Sequence, residues 1–81
     1  METYNEAEKR LLSELAALGW TVKAGLKIPH ATSPNGKLRV WFKTNATYLS
    51  NDTHTFANAR SLWCDRRDLP VANLIADCER F

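Results

Sequence analysis

The residues best suited to chemistry lie in the stretch 37–43, which reads Lys-Leu-Arg-Val-Trp-Phe-Lys. Apolar and polar residues alternate here, and successive side chains of a strand point to opposite faces, so one face is predicted to enter a core. The opposite face combines cationic groups with an indole, a combination that suits phosphate contact and base stacking. The predicted binding residues are Lys23, Lys27, Lys37, Arg39, Trp41 and Lys43.

The distribution of charge along the chain also favours this face as the binding surface. The net charge is only +2. Residues 2–18 hold four acids and two bases, residues 19–51 hold five bases and no acid, and residues 52–81 hold five acids and four bases. The middle third is therefore predicted to meet an acidic protein surface or a nucleic acid. The alternative is that these cations are ordinary solvated residues that discourage edge pairing.

A second basic group comprises Arg60, Arg66 and Arg67. Arg66 and Arg67 stand between Asp65 and Asp68, so local ion pairing is the favoured explanation. Exposed pairs of this kind contribute only ~0–1 kcal/mol to stability, and they say little about function.

Histidine and cysteine residues do not have the spacing of a metal site. His30, His54, Cys64 and Cys78 include no Cys-x-x-Cys and no pair of histidines three to five residues apart. They also form no arrangement of a nucleophile beside a base, and the glycines form no phosphate-binding loop. The sequence therefore predicts a protein that is not an enzyme and holds no metal or cofactor.

The elements that must position the basic face begin with an amphipathic helix over Tyr4–Leu18. Thr3 and Glu6 have the spacing of a capping box, and Gly19 suits a left-handed C-terminal cap. Period-two alternation then predicts a strand over Trp20–Ile28, which Pro29 should end.

A turn-rich loop over 29–36 leads into the central strand. A tight turn at Thr44-Asn45 and a third strand over Ala46–Ser50 follow, with Tyr48 facing inward and Thr47 outward. The segment Phe56–Trp63 favours a short helical turn, with a fourth edge strand as the alternative.

The last element is a helix that should begin at Asp68-Leu69-Pro70, because an acid and a proline suit a first helical turn. The predicted fold is α+β: a three-stranded antiparallel meander with both helices packed on one face, in the order α-β-β-β-α, as a single domain over 1–81. The predicted core comprises Leu11, Leu15, Leu18, Trp20, Val22, Leu38, Val40, Phe42, Leu74, Ile75 and Cys78.

Composition sets further expectations. No apolar run approaches the roughly 20 residues that a membrane span needs, and the N-terminus has no signal-peptide pattern. Two cysteines make no disulfide framework, so a cytoplasmic protein with reduced thiols is expected. An exposed sheet also allows a homodimer, formed at the sheet edge or through Trp41.

The predicted element order, together with Pro29-His30 after the first strand, resembles the double-stranded-RNA-binding domain in topology. That family has a lysine-rich cluster at the start of its second helix, where this chain has Asp68-Leu69-Pro70-Val71. The small size is also similar to that of phage or mobile-element accessory proteins. The predicted function is a small accessory protein that uses the basic face on a macromolecular partner, such as a host nucleic-acid-processing complex; the alternative is direct binding of RNA or DNA.

Overall fold

Two helices and a five-stranded antiparallel sheet make up the part of the chain described by the computed structural model, namely residues 2–44, 46–50, 60–62 (backbone only) and 65–79. The elements are α1 (Tyr4–Ala17), β1 (Thr21–Lys23), β2 (His30–Thr32), β3 (Arg39–Phe42), β4 (Thr47–Ser50), β5 (Arg60–Leu62) and α2 (Val71–Glu79). Each strand pairs with the next one along the chain. The α+β class and the antiparallel sheet are confirmed, whereas the predicted number of three strands is wrong.

Helix α1 begins and ends as its caps dictate. The Thr3 hydroxyl accepts a hydrogen bond from the Glu6 N–H, and the Glu6 carboxylate accepts one from the Thr3 N–H, which completes the predicted capping box. At the other end Gly19 has a φ of 92°, and the Trp20 N–H donates to the Leu15 carbonyl at 3.0 Å. This bond and the positive φ stop the helix by a Schellman-type cap.

The predicted strand over Trp20–Ile28 is wrong in length, because β1 ends at Lys23. Gly25 has a φ of 77°, a left-handed conformation that interrupts extended backbone. The chain then returns as β2 inside the region predicted to be a loop. Pro29 precedes β2 rather than ending a strand. Its carbonyl accepts a hydrogen bond from the Phe42 N–H at 2.9 Å, which ties it to the end of the central strand.

A compact turn joins β2 to the central strand β3. The Ser33 N–H donates to the Leu38 carbonyl at 2.8 Å, and the Leu38 N–H donates to the Ser33 hydroxyl at 3.0 Å. The side-chain amide oxygen of Asn35 accepts from the Lys37 N–H, and Gly36 supplies the positive φ of 76°. The predicted reversal at Pro-Asn-Gly is therefore present, within a shorter loop than expected.

Strand β4 lies close to its predicted bounds, but its two faces are exchanged relative to the prediction. Leu49 pairs with Val40, and both are fully buried, whereas Tyr48 pairs with Trp41 on the other face. Directly opposed residues of antiparallel strands share a face, so Thr47 points inward and Tyr48 outward. The turn before this strand is closed by the Lys43 N–H, which donates to the Ala46 carbonyl at 2.9 Å.

The C-terminal elements also differ from their predictions. Residues 60–62 form the edge strand β5, so the alternative of a fourth edge strand describes them and the predicted helical turn does not. The remainder of the predicted turn lies outside the described residues. Helix α2 begins at Val71 rather than at Asp68, because Asp68 has a φ of 58°, which a right-handed α-helix does not permit.

The core lies between the sheet and both helices. Its buried members are Leu11, Leu12, Leu15, Ala31, Val40, Phe42, Leu49, Leu74 and Cys78. Trp20, Val22, Leu38 and Ile75 pack at its margin as partly buried residues. Leu18 is a wrong core prediction: it is 52% exposed, since α1 ends at Ala17 and the chain turns at Gly19. Neither described helix has the length and apolarity required to cross a membrane.

Candidate binding face

Three rings lie in one row across the sheet, on the face opposite the two helices. The strand register places His30 directly opposite Trp41, and Trp41 directly opposite Tyr48. The ring centroids of His30 and Trp41 are 4.4 Å apart, with a tilt of 40° between the planes. We call these three residues the aromatic row. The same register places Lys23 beside His30, at the β1 end of the row.

Cationic groups lie next to the rings of the aromatic row. The Arg39 guanidinium carbon is 5.3 Å from the centroid of the Trp41 ring, and the Lys43 ammonium is 5.4 Å from the centroid of the Tyr48 ring. Both distances fall within the range of cation–π attraction. The rings and the positive charges therefore form one surface rather than two separate patches.

Hydrogen bonds fix the orientation of the central groups. The Arg39 Nε donates to the Thr32 hydroxyl at 3.1 Å, while its two terminal nitrogens have no hydrogen-bond partner among the described residues. The Trp41 indole N–H donates to the Ser50 hydroxyl at 2.9 Å. The guanidinium is thus held at the sheet surface with its terminal donors available to an external acceptor, and the indole is half-buried with its polar edge satisfied.

The six predicted binding residues do not all lie on strands. Lys23, Arg39 and Trp41 belong to β1 and β3, and Lys43 follows β3 directly. Lys27 lies in the bend between β1 and β2, and Lys37 lies in the turn before β3. Both are exposed, so they extend the positive charge to the ends of the sheet without joining the aromatic row. Binding by any of these residues remains a prediction.

The electrostatics of this face are simple because acids are absent from residues 19–51. The four acids that precede this stretch lie at Glu2 and on α1, which covers the inner face of the sheet. Among the described strands β1 to β4, the outer face therefore carries cations, aromatic rings and hydroxyls.

The second basic group divides into residues with different roles. The Arg67 guanidinium forms a local ion pair with Asp65 at 2.6 Å, as predicted. Arg66 is fully buried, so its interpretation as part of a solvated ion-paired group is wrong. Its Nε donates to the Tyr4 carbonyl, and its terminal nitrogens donate to the carbonyls of Thr44 and Ala46, at 3.1 to 3.2 Å. Arg60 begins β5.

Arg66 therefore holds the fold together rather than offering a binding charge. Its guanidinium carbon is 5.4 Å from the Tyr4 ring centroid and 5.7 Å from that of Phe42, and its Nη2 is 3.9 Å from the Glu8 Oε1. Burial lowers the pKa of Arg66, since desolvation disfavours a charged group. The three carbonyls and the nearby carboxylate offset that cost.

Two carboxylates away from the aromatic row, Asp65 and Glu2, have lowered pKa values. Hydrogen bonds from Arg67 lower the pKa of Asp65 to about 2. The Glu2 carboxylate accepts from the Arg10 guanidinium and from the Asp68 N–H, and these bonds lower the pKa of Glu2. Glu2 thus ties the start of the chain to the turn before α2. Both shifts stabilise structure, and neither group lies on the binding face.

Sequence reasoning missed His30 and Tyr48 as members of the outer face. The sequence predicts His30 in a loop and Tyr48 on the inner face of the third strand. The alternation Thr47-Tyr48-Leu49-Ser50 contains the needed signal, because Leu49 is the better candidate for an inward residue than Tyr48. The sequence contains no comparable signal for the burial of Arg66.

Metal-binding groups do not gather in the described part of the chain: no set of three or more histidine, cysteine, aspartate or glutamate residues there could hold an ion. The His30 Nδ1 lies 3.3 Å from the Ile28 carbonyl, and Cys78 is a buried thiol on α2. His54 and Cys64 lie outside the described residues.

Comparison with known proteins adds no relative: no family model, no curated protein and no solved structure matches this chain. The resemblance to the double-stranded-RNA-binding domain also loses its structural basis. It depended on three strands and on a loop containing His30, whereas the chain has five described strands and His30 lies in β2. The geometry of the binding face is therefore the basis for a functional proposal.

Proposed function

We propose that this chain is a small non-enzymatic binding protein that acts on a negatively charged macromolecule through the outer face of its sheet. The observation that carries the proposal is the arrangement of Arg39 and Lys43 beside the aromatic row, on strands without a carboxylate. Charged and aromatic side chains on one face provide both electrostatic attraction and contact area for a partner.

Arg39 is the central residue of the proposed face. It is exposed, it is anchored through Nε to Thr32, and its terminal nitrogens remain available to an acceptor. A guanidinium held in this way loses little further conformational freedom on binding, and it can donate two parallel hydrogen bonds to a carboxylate or a phosphate.

An accessory role in a phage or mobile element fits this type of surface. A domain of 81 residues has little material for a substrate cleft, but one sheet face is large enough to meet an acidic patch on a larger complex. The partner would then be a protein surface or the nucleic acid of a processing complex, and both present anions to the same cations.

Charge reversal at Arg39 tests the proposal. Wild type, Arg39→Glu and Lys9→Glu are compared for binding to labelled poly-L-glutamate and to labelled oligonucleotides at about 50 mM salt, where surface charges are weakly screened. Lys9 is an exposed lysine on α1, so its reversal changes the net charge equally on another part of the surface. We expect Arg39→Glu to lose binding to at least one polyanion while Lys9→Glu retains it. Failure of both polyanions to bind wild type, or equal loss in the two variants, would overturn the proposal.

A further inference from the structure

We infer that the partner of the outer face is a single-stranded nucleic acid, whose bases stack on the aromatic row while its phosphates contact Lys23, Arg39 and Lys43. This inference rests on the proposed function and names the chemical class of its partner. It concerns RNA and DNA alike, because unpaired bases and a phosphate backbone are common to both.

The dimensions of the aromatic row suit consecutive unpaired bases. Its three residues occupy adjacent strands in direct register, and neighbouring strands lie about 4.8 Å apart, so the row extends about 10 Å across the sheet. Stacking of bases on such rings is tolerant of sequence, since every base has an aromatic face. The row is therefore long enough to span two or three consecutive bases.

The positions of the cations match the alternation of bases and phosphates. Arg39 and Lys43 lie two residues before and two residues after Trp41 along the chain, which corresponds to about 13 Å from one to the other in extended backbone. Lys23 stands at the β1 end of the row, opposite His30. Positive charge thus flanks the rings along the strand and at one end of the row. The phosphate backbone of a single strand whose bases stack on the rings would pass these positions.

Tyr48 is the most informative member of the row. Its ring is half-buried, it lies 5.4 Å from the Lys43 ammonium, and its hydroxyl has no hydrogen-bond partner in the described structure. The hydroxyl therefore contributes no internal hydrogen bond whose loss would obscure a binding effect. A change at Tyr48 that keeps an apolar side chain but removes the ring can separate stacking from charge.

Two other partners fit this geometry less well. Bases in a duplex are already stacked on one another, and reading them requires an element that enters a groove, whereas the row lies on the surface of a sheet. An acidic protein surface could use both the cations and the aromatic contact area, but it does not require three rings in direct register. The test below includes a duplex and an acidic polypeptide, so it distinguishes both partners from a single strand.

The test measures fluorescence anisotropy with labelled 12-nucleotide U and dT strands, a 12-base-pair duplex and poly-L-glutamate. The variants are Tyr48→Leu, Tyr48→Phe and Arg39→Glu, with Lys9→Glu as the control for charge. We expect both single strands to bind wild type. Tyr48→Leu should weaken this binding by about five-fold to a hundred-fold, the range for loss of one stacked base, while Tyr48→Phe should stay within about two-fold of wild type.

Several results would overturn the inference. These are absence of binding to both single strands, equal binding of duplex and single strands, or a Tyr48→Leu variant that binds as wild type does. If poly-L-glutamate binds in an Arg39-dependent manner and the oligonucleotides do not, the proposed function stands and this inference fails. Should Tyr48→Leu not fold, quenching of tryptophan emission by poly(U) provides a second test. The quenching should be present in wild type and smaller in Trp41→Phe; an equal response of the two proteins contradicts stacking on the row.

Discussion

The guanidinium of Arg66 donates a hydrogen bond from Nη1 to the carbonyl oxygen of Ala46 at 3.1 Å, across 20 positions of the chain. The same group donates to the carbonyls of Thr44 and Tyr4, so one side chain joins the turn between β3 and β4 to the start of α1. The Ala46 carbonyl also accepts from the Lys43 N–H, so the guanidinium adds a second, charged donor at this turn. Arg66 thereby fixes the hairpin that carries Trp41 and Tyr48.

Replacement of Arg66 by alanine should lower the free energy of unfolding by about 3 kcal/mol or more, because it removes several charged hydrogen bonds and leaves a cavity in place of a fully buried side chain. Arg66→Lys should also lower the free energy of unfolding, since an ammonium cannot reproduce the planar set of donors of a guanidinium. Urea denaturation followed by circular dichroism measures both.

Arg67→Ala is the matched control for the Arg66 variants. Arg67 is partly exposed and pairs locally with Asp65, so its loss should cost no more than about 1 kcal/mol. Similar unfolding midpoints for the Arg66 and Arg67 variants would show that the buried guanidinium has no special structural role.

Substitution of Thr47 by valine should raise the free energy of unfolding by about 1 kcal/mol. Thr47 is fully buried on β4, and its hydroxyl oxygen has no hydrogen-bond partner among the described residues. A buried hydroxyl without a partner is unfavourable, and valine has nearly the same shape without that group. Thermal and urea unfolding of Thr47→Val check the expectation. Thr44→Val, at an exposed position of the turn before β4, provides the control; a less stable Thr47→Val protein would contradict the assigned environment.

Acid should destabilise the fold through Glu2. Its pKa is lowered from 4.5 in the folded state, so the stabilisation is present above about pH 4.5 and is lost as the pH falls through the lower folded pKa. Glu2→Gln should therefore differ most from wild type near neutral pH, and the difference in urea midpoint should narrow toward pH 2. Glu79→Gln, which alters an exposed residue of α2, controls for net charge. A difference between Glu2→Gln and wild type that stays constant with pH would contradict this account.

Leu15 and Leu18 should respond differently to truncation, although both belong to the apolar stripe of α1. Leu15 is fully buried, and its replacement by alanine should cost about 3–5 kcal/mol because it leaves a cavity. Leu18 is 52% exposed, so the same change should cost less than about 1 kcal/mol. Urea denaturation of the two variants compares them directly. Equal losses of unfolding free energy would contradict the exposed position of Leu18.

The sequence predicted correctly those features that depend on a few neighbouring residues. The capping box at Thr3, the glycine cap at Gly19 and the alternation around Val40 all appear in the structure, because each depends on a few neighbouring residues. The alternation of Trp20–Ile28 failed because a period of two cannot show that Gly25 leaves extended backbone. Burial of Arg66 depends on contacts far along the chain, which no local pattern encodes.

The candidate face could be predicted in part. Arg39 and Trp41 lie on the outer face as the alternation required, and the absence of acids from that region is visible in the sequence. His30 and Tyr48 join the row only through strand register, and a shift of one residue exchanges the two faces of a strand. The pairing, rather than composition, therefore determined which rings lie together.

The most direct test of the account is the salt dependence of binding to a 12-nucleotide single strand. Each phosphate contact contributes a slope of about −0.7 to a plot of log K against log salt, so three cations predict a slope near −2. Arg39→Gln should reduce the slope by about 0.7, and Lys9→Gln should leave it unchanged. A slope near zero for wild type, or one that does not respond to Arg39→Gln, would contradict recognition of a nucleic acid by the outer face.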